Sequence, residues 1–139
     1  MQRLLPALRL IVKEFPDAII SVDTFRSEIA KVAVNEGAKL INDISAGELD
    51  PGMFKTIAAL KVPYILMHMK GNPQNMLQQA HYEDVFAEVA GYLQAKIKQL
   101  TDMGVNDIII DPGFGFAKNE EHNYTLLNKL DQFKILGVP

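Results

Sequence analysis

The chain has no cysteine in 139 residues and no apolar run close to the roughly 20 residues that a membrane-spanning helix needs. Without cysteine there is no disulfide and no thiolate metal site, which suits a reducing cytoplasm, the compartment expected here. Excess charge is scarce too. Lysine and arginine number 14 against 17 acidic residues, a formal net charge of −3. That imbalance is too small to imply a basic partner, and no nucleic-acid footprint is visible. Histidine is nearly absent, and His68, His81 and His122 share no metal-ligand spacing. No Ser-His-Asp or Cys-His arrangement is present. The opening stretch, MQRLLPALRLIVKEF, lacks a small-residue cleavage site, and Arg3, Arg9 and Lys13 are spread through it. It reads as an amphipathic helix, not a signal peptide.

What is present is alternation. At this length the chain can bury one core but not two ordinary ones, so residues 1–139 form a single domain. The spacing predicts a helix over about 2–14, with Leu4, Leu5, Leu8, Ile11 and Val12 on its buried face. A short apolar strand follows at 18–22. A helix then ends at Gly37, a natural left-handed stop. AKLIND is a second strand. Asp50 and Pro51 are an N-cap and first-turn signal for the next helix. VPYILMHM is a third strand, and the polar stretch 70–81 is a loop. A long helix is expected over about 82–103, stopped by Gly104, with Val85, Val89, Leu93, Ile97 and Leu100 inward. DIII is the fourth strand. Asn119 caps a last helix, with Glu120 and Glu121 suiting the dipole of its first turn.

Continuously apolar strands alternating with helices imply an α/β fold with a parallel sheet. The four strands end in polar groups: Asp23-Thr24, Asn42-Asp43, His68 and Asp111. Parallel strands place these ends on one face. Four polar ends in succession favour a (β/α) barrel over a doubly wound sheet, which gathers its ligands at one switch point. A whole barrel needs about 250 residues. The expected architecture is therefore a partial TIM barrel, about four βα units preceded by a helix. Its outer strands would have open edges, inviting self-association.

Asp111 ends the most apolar strand, with no basic residue beside it on that strand. A carboxylate there suits a ligand offering two parallel N–H groups. Asn42 offers a donor and an acceptor, and Asp23 a second acceptor. The three suit a flat, N–H-rich heterocycle. The bland alternative is that each caps a following helix, the better choice for any one of them alone. The sequence GFGF that follows is neither a dinucleotide fingerprint nor a phosphate loop. Its glycines fit a tight turn and its phenylalanines fit core packing. Alternatively Phe116 faces an aromatic ligand and Gly115 allows close approach. His68 reads as a hydrogen-bonded structural residue, and Lys70 and Lys118 as solvated loop lysines. Thr24 and Arg26 fit a helix cap or a phosphate contact equally well.

Five stretches together resemble dihydropteroate synthase: ISVDTFRSEIA, AKLINDISAG, DPGMF, LMHMKGNPQNM and DPGFGFAKNEEHNYTLL. They occur in the family's order across almost the whole chain. The resemblance implies a (β/α)8 barrel and a step of folate synthesis, the joining of a dihydropterin diphosphate to p-aminobenzoate with Mg²⁺ assisting departure of diphosphate. It implies that Asp23, Asn42 and Asp111 bind the pterin, with Asp23 and Asp111 supplying the catalytic electrostatics. Ile44 and Met67 would form apolar pocket wall. Gly115 and Phe116 would meet the aminobenzoate or a sulfonamide. Ala117 stands where the family often has glycine, and Asn75 where it often has threonine. The family's metal-binding Asn, its Ser-Arg-Lys strand and its basic anion-binding strand have no counterpart here. The expectation is thus a pterin-binding floor, inactive alone. A methyltetrahydrofolate-dependent methyltransferase would share that floor, and a non-catalytic half-barrel that self-associates is a third reading.

Overall fold

The computed structural model describes residues 3–139. It begins with helix α1 (Leu4–Glu14), and the expected helical start at residue 2 lies outside the described residues. Strand β1 (Ser21–Asp23), helix α2 (Ser27–Asn35), β2 (Leu40–Asp43), α3 (Met53–Leu60) and β3 (Tyr64–Met67) follow. Then come a short 3-10 turn (Met76–Gln79), α4 (Val85–Asp102), β4 (Ile108–Asp111), α5 (Glu120–Asn128) and a second 3-10 segment (Leu130–Leu136). No helix among the described residues is long and apolar enough to cross a membrane.

The strands pair in parallel in the order β1-β2-β3-β4. Unbroken sequence order, with no reversal, is the arrangement of a barrel and not of a doubly wound sheet. Register sorts the side chains. Val22, Ile41, Tyr64 and Ile108 form one row, and all four are buried. They share the core with Ala30, Ile57, Val89, Leu93 and Leu100 from the helices. Because successive strand residues point to opposite faces, the next row, Asp23, Asn42, Ile65 and Ile109, faces away from that core. Met67 and Asp111 are paired on the same outer face.

Several local expectations are corrected. In α1 only Leu8 is fully buried, and Ile11 is 42% exposed. The helix packs on the end of α2, where Val12 lies against Gly37 and Arg9 pairs with Glu36. A helix with so few neighbours buries a narrower stripe than its spacing implies. Strand β1 starts three residues later than expected, where pairing with Leu40 begins, and leaves Ile19 83% exposed. Asp50 does not cap α3, which starts at Met53 after Gly52. Its carboxylate accepts the N–H of Gly52 (2.8 Å) and that of Ser27 in the first turn of α2 (2.7 Å). One side chain therefore turns the chain into α3 and serves α2 as well. These bonds, chiefly those from Ser27, hold its carboxyl below the usual range. Helix α4 starts at Val85, capped by Asp84, whose side chain accepts from Ala87, while Tyr82 lies before the helix and donates to the Ala117 carbonyl (2.9 Å). The last helix breaks into two pieces.

Other signals hold. Gly37 closes α2 with φ +108°, and the N–H groups of Gly37 and Ala38 reach back to Val34 and Ala33. Asn119 caps α5 with His122 returning the bond to its N–H. At β4, Ile110 donates its N–H to the Pro139 carbonyl (2.8 Å), but no strand pairs there, so both outer strands have open edges as expected. Both β1 and β4 have an outer edge without a paired strand among the described residues.

Candidate functional site

Asp23 and Asn42 sit side by side at the ends of β1 and β2, paired in register. The Asn42 amide donates to Asp23 Oδ2 (3.3 Å). Since a carboxylate oxygen needs a donor, the amide presents its NH2 there and turns Oδ1 the other way. Asn42 Oδ1 is buried and has no partner. An acceptor left so costs about 1–3 kcal/mol, and a ligand N–H would repair it. Neither residue caps a helix: the Arg26 N–H goes to the Thr24 hydroxyl (3.1 Å), and α2 takes its first-turn acceptor from Asp50.

Asp111 lies two strands further on, one outward-facing position nearer the strand ends. Two strand spacings are about 10 Å. Asp111 Oδ1 accepts the Gly113 N–H (2.7 Å), a tight turn and not a helix cap, since α5 starts only at Glu120. Gly113 is required twice over. Its φ is +74°, and a Cβ there would lie 2.0 Å from the His68 carbonyl oxygen. Met67 is buried beside Asp111, and Ile44 is half-buried just beyond β2. Gly115 has open space where a Cβ would be and donates to Asn123 Oδ1 (2.9 Å). Phe116 is half-buried and Phe114 is 39% exposed, so neither ring belongs to the core, which corrects the packing alternative.

Asp43, next to Asn42, points the opposite way and is fully buried. Its oxygens accept from Ser45 N (2.8 Å), Ser45 Oγ (2.8 Å), Gly47 N (2.9 Å) and Tyr64 OH (2.6 Å). Burial, then the nearby Asp43 charge, pushes the Tyr64 phenol far up, so it acts only as a donor.

Sequence reasoning missed Lys118. It is 4% exposed, not a solvated loop lysine. Its Nζ donates to His68 Nδ1 (2.9 Å), the His68 carbonyl (3.3 Å) and the Phe116 carbonyl (3.0 Å). Burial pulls its pKa down to about 8, while the charge of Asp111 opposes that shift. His68, expected to be structural, is held at about 3 by burial, then by the Lys118 charge, and so stays neutral and accepts. A lysine's position in a string gives no sign of this. The tight turn at Gly113, which folds 118 back over the strand end, is the signal available. Lys70 is not a free cation either. It pairs with Glu88 (2.7 Å) and lies over the Tyr82 ring (3.7 Å).

Among the described residues no three His, Asp or Glu side chains converge to hold a metal ion. A hollow lined by Ile57, Ala58, Lys61, Val62 and Val105 lies at the other end of the strands. The site is accordingly an open floor: polar groups at the C-terminal ends of parallel strands, bordered by apolar side chains, with one unsatisfied buried acceptor.

That geometry defines a (β/α)-barrel segment with an open polar floor at the C-terminal ends of its strands. The chain matches the family model described as "Pterin binding enzyme" over residues 1–139. It belongs to that family. Among curated relatives, it is 40% identical over 141 residues to dihydropteroate synthase from Synechocystis sp., covering 100% of this chain and 48% of the relative. Among solved structures, dihydropteroate synthase from Thermus thermophilus in complex with 4-aminobenzoate matches with a TM-score of 0.92 and 40% identity, over 99% of this chain and 53% of that one. The Xanthomonas albilineans enzyme in complex with 7,8-dihydropteroate matches with a TM-score of 0.88 and 38% identity, over 99% and 50%. The chain thus spans about half the length of these relatives, and the family and the partial barrel expected from the sequence are both borne out.

Proposed function

We propose that this chain is the pterin-binding floor of a dihydropteroate synthase, acting in folate biosynthesis. The observation that carries the reading is the buried, unpartnered Asn42 Oδ1 beside Asp23, on the same sheet face as Asp111. A dihydropterin has the matching donors. Asp111 would accept two N–H bonds from its amidine edge, and Asn42 and Asp23 would accept from the remaining ring N–H groups. Ile44 and Met67 would border the ring, and Gly115 and Phe116 would leave room for p-aminobenzoate. The exposed, open setting of Gly115 supports that placement.

In the proposed reaction the bond from the pterin methylene carbon to the diphosphate oxygen breaks, leaving a cation delocalised into the ring. The amine of p-aminobenzoate then attacks that carbon and loses a proton. Asp23 and Asp111, fixed before reaction, favour the cation. Mg²⁺ would assist departure of diphosphate, and no group of His, Asp or Glu among the described residues would hold it, so the chain alone is expected to bind pterin without turnover. Calorimetric titration of the purified chain with a dihydropterin tests this. Wild type is expected to bind, and Asp111→Asn to lose binding while keeping its fold, because an amide cannot accept two parallel N–H bonds. Unchanged affinity in the variant would refute the assignment. One observation favours a second reading, a self-associating half-barrel: the bare β1 edge with Ile19 exposed beside it. Sedimentation at increasing concentration distinguishes the two.

A further inference from the structure

We propose that Lys118 is a positioning residue for the proposed pterin-facing carboxylate Asp111 and for Phe116, locking the 111–118 turn onto the end of β3. This inference rests on the pterin reading above. An ammonium has three N–H donors, and Lys118 spends all three on neutral acceptors: the His68 ring nitrogen, the His68 carbonyl and the Phe116 carbonyl. The contacts run on without a gap to Asp111. The His68 carbonyl that Lys118 holds is the atom against which Gly113 is packed, and Gly113 in turn fixes Asp111 Oδ1. The site where a Gly113 Cβ would stand is 3.3 Å from Lys118 Nζ. On its other side, Lys118 holds the backbone of Phe116, the residue proposed to face the second substrate.

The charge is what marks this as more than packing. A methionine would fill a similar volume without the desolvation cost of a buried ammonium. No carboxylate among the described residues lies within ion-pairing distance of Lys118, so its counter-charge, Asp111, acts from slightly further off. The other charged or titratable groups facing the cluster are Lys70, which opposes the Lys118 charge, the neutral His68, Glu88, which pairs with Lys70, and the Tyr82 and Tyr92 phenols beside the His68 ring, which burial pushes up so that they stay neutral. A deprotonated amine has two N–H groups and cannot serve three acceptors, so the lock should loosen as Lys118 loses its proton.

The test combines ligand-free and ligand-bound readouts. In carbon-13 NMR the Lys118 Cε of the wild-type chain is expected to titrate near 8, and Asp111→Asn to move that midpoint lower. An unmoved midpoint overturns the inference. In calorimetry Lys118→Met is expected to melt cooperatively and lose dihydropterin affinity by about tenfold, the equivalent of one lost hydrogen bond. Because the chain has no cysteine, Lys118→Cys carries a single thiol. Aminoethylation of that thiol during refolding restores an ammonium at similar reach and is expected to recover most of the affinity. If Lys118→Met does not fold, the wild-type pH profile decides. Affinity, corrected for the free ligand's own titration, should fall with the midpoint seen at Lys118 Cε, and a flat profile overturns the inference. Wild-type-like binding by Lys118→Met, with Asp111→Asn inactive in binding, overturns it alone. A wild-type chain that binds no dihydropterin overturns the pterin reading and this inference with it.

Discussion

Asn42 and Asp43 are neighbours at the end of one strand, and they live in opposite worlds. Asp43 points to the helices, is fully buried and accepts four hydrogen bonds. Asn42 points to the open face, makes one long bond to Asp23 and leaves its Oδ1 with no partner. The same contrast runs across the sheet. The row of Val22, Ile41, Tyr64 and Ile108 is sealed against helices, while Asp23, Ile65 and Ile109 beside them are not. A polar group that is completely satisfied stabilises a fold and has nothing to offer a ligand. One left incomplete costs stability and can be completed only from outside. On the proposed function, one face of the sheet holds the protein together and the other is left for binding.

Asp43 is the residue whose loss should damage the fold most. Asp43→Ala would orphan the Tyr64 hydroxyl and the Gly47 N–H at the least, at a cost of about 4 kcal/mol or more. The urea midpoint should fall accordingly, and a change under 1 kcal/mol, on the order of one ordinary surface substitution, would show that the network is not structural. Acid titration sharpens the same point at His68. Its folded pKa of about 3 lies below the ordinary 6.5, so between these values the unfolded chain binds a proton that the folded chain refuses. Stability should therefore rise with pH across that window and be lost as pH falls. The His68 share has a slope of up to about 1.4 kcal/mol per pH unit. Urea midpoints from pH 3 to 7 for wild type and His68→Gln check this, and equal slopes would contradict it. The smallest effect belongs to Ala117, which sits at φ +51° yet is fully buried. Ala117→Gly relieves about 1–2 kcal/mol of left-handed strain but gives up about 0.8 kcal/mol of methyl burial. A stability gain below about 1 kcal/mol is expected by thermal melting.

Much of this was legible in the sequence. The order of helices and strands follows from alternating apolar runs, and the polar strand ends converge because parallel strands must bring them together. That Asn42 and Asp43 face opposite ways follows from strand parity alone, although which of them meets the helices needs the register. The glycine frequent in the family at position 117 fits a backbone that Ala117 holds at φ +51°. What could not be read depends on distant neighbours. Asp50 serves Ser27, 23 residues away. Ile11 and Ile19 are apolar but exposed because little packs over them. Lys118 is buried because the turn at Gly113 folds it back over His68.

The most direct test of the central claim is a calorimetric titration of a dihydropterin into Asn42→Leu, well below its melting temperature. Leucine removes the unpartnered oxygen while filling much the same space on the half-buried face. The variant is expected to be at least as stable as wild type, by up to about 1 kcal/mol, and to give no heat of binding. A variant that binds the dihydropterin as wild type does would contradict that claim.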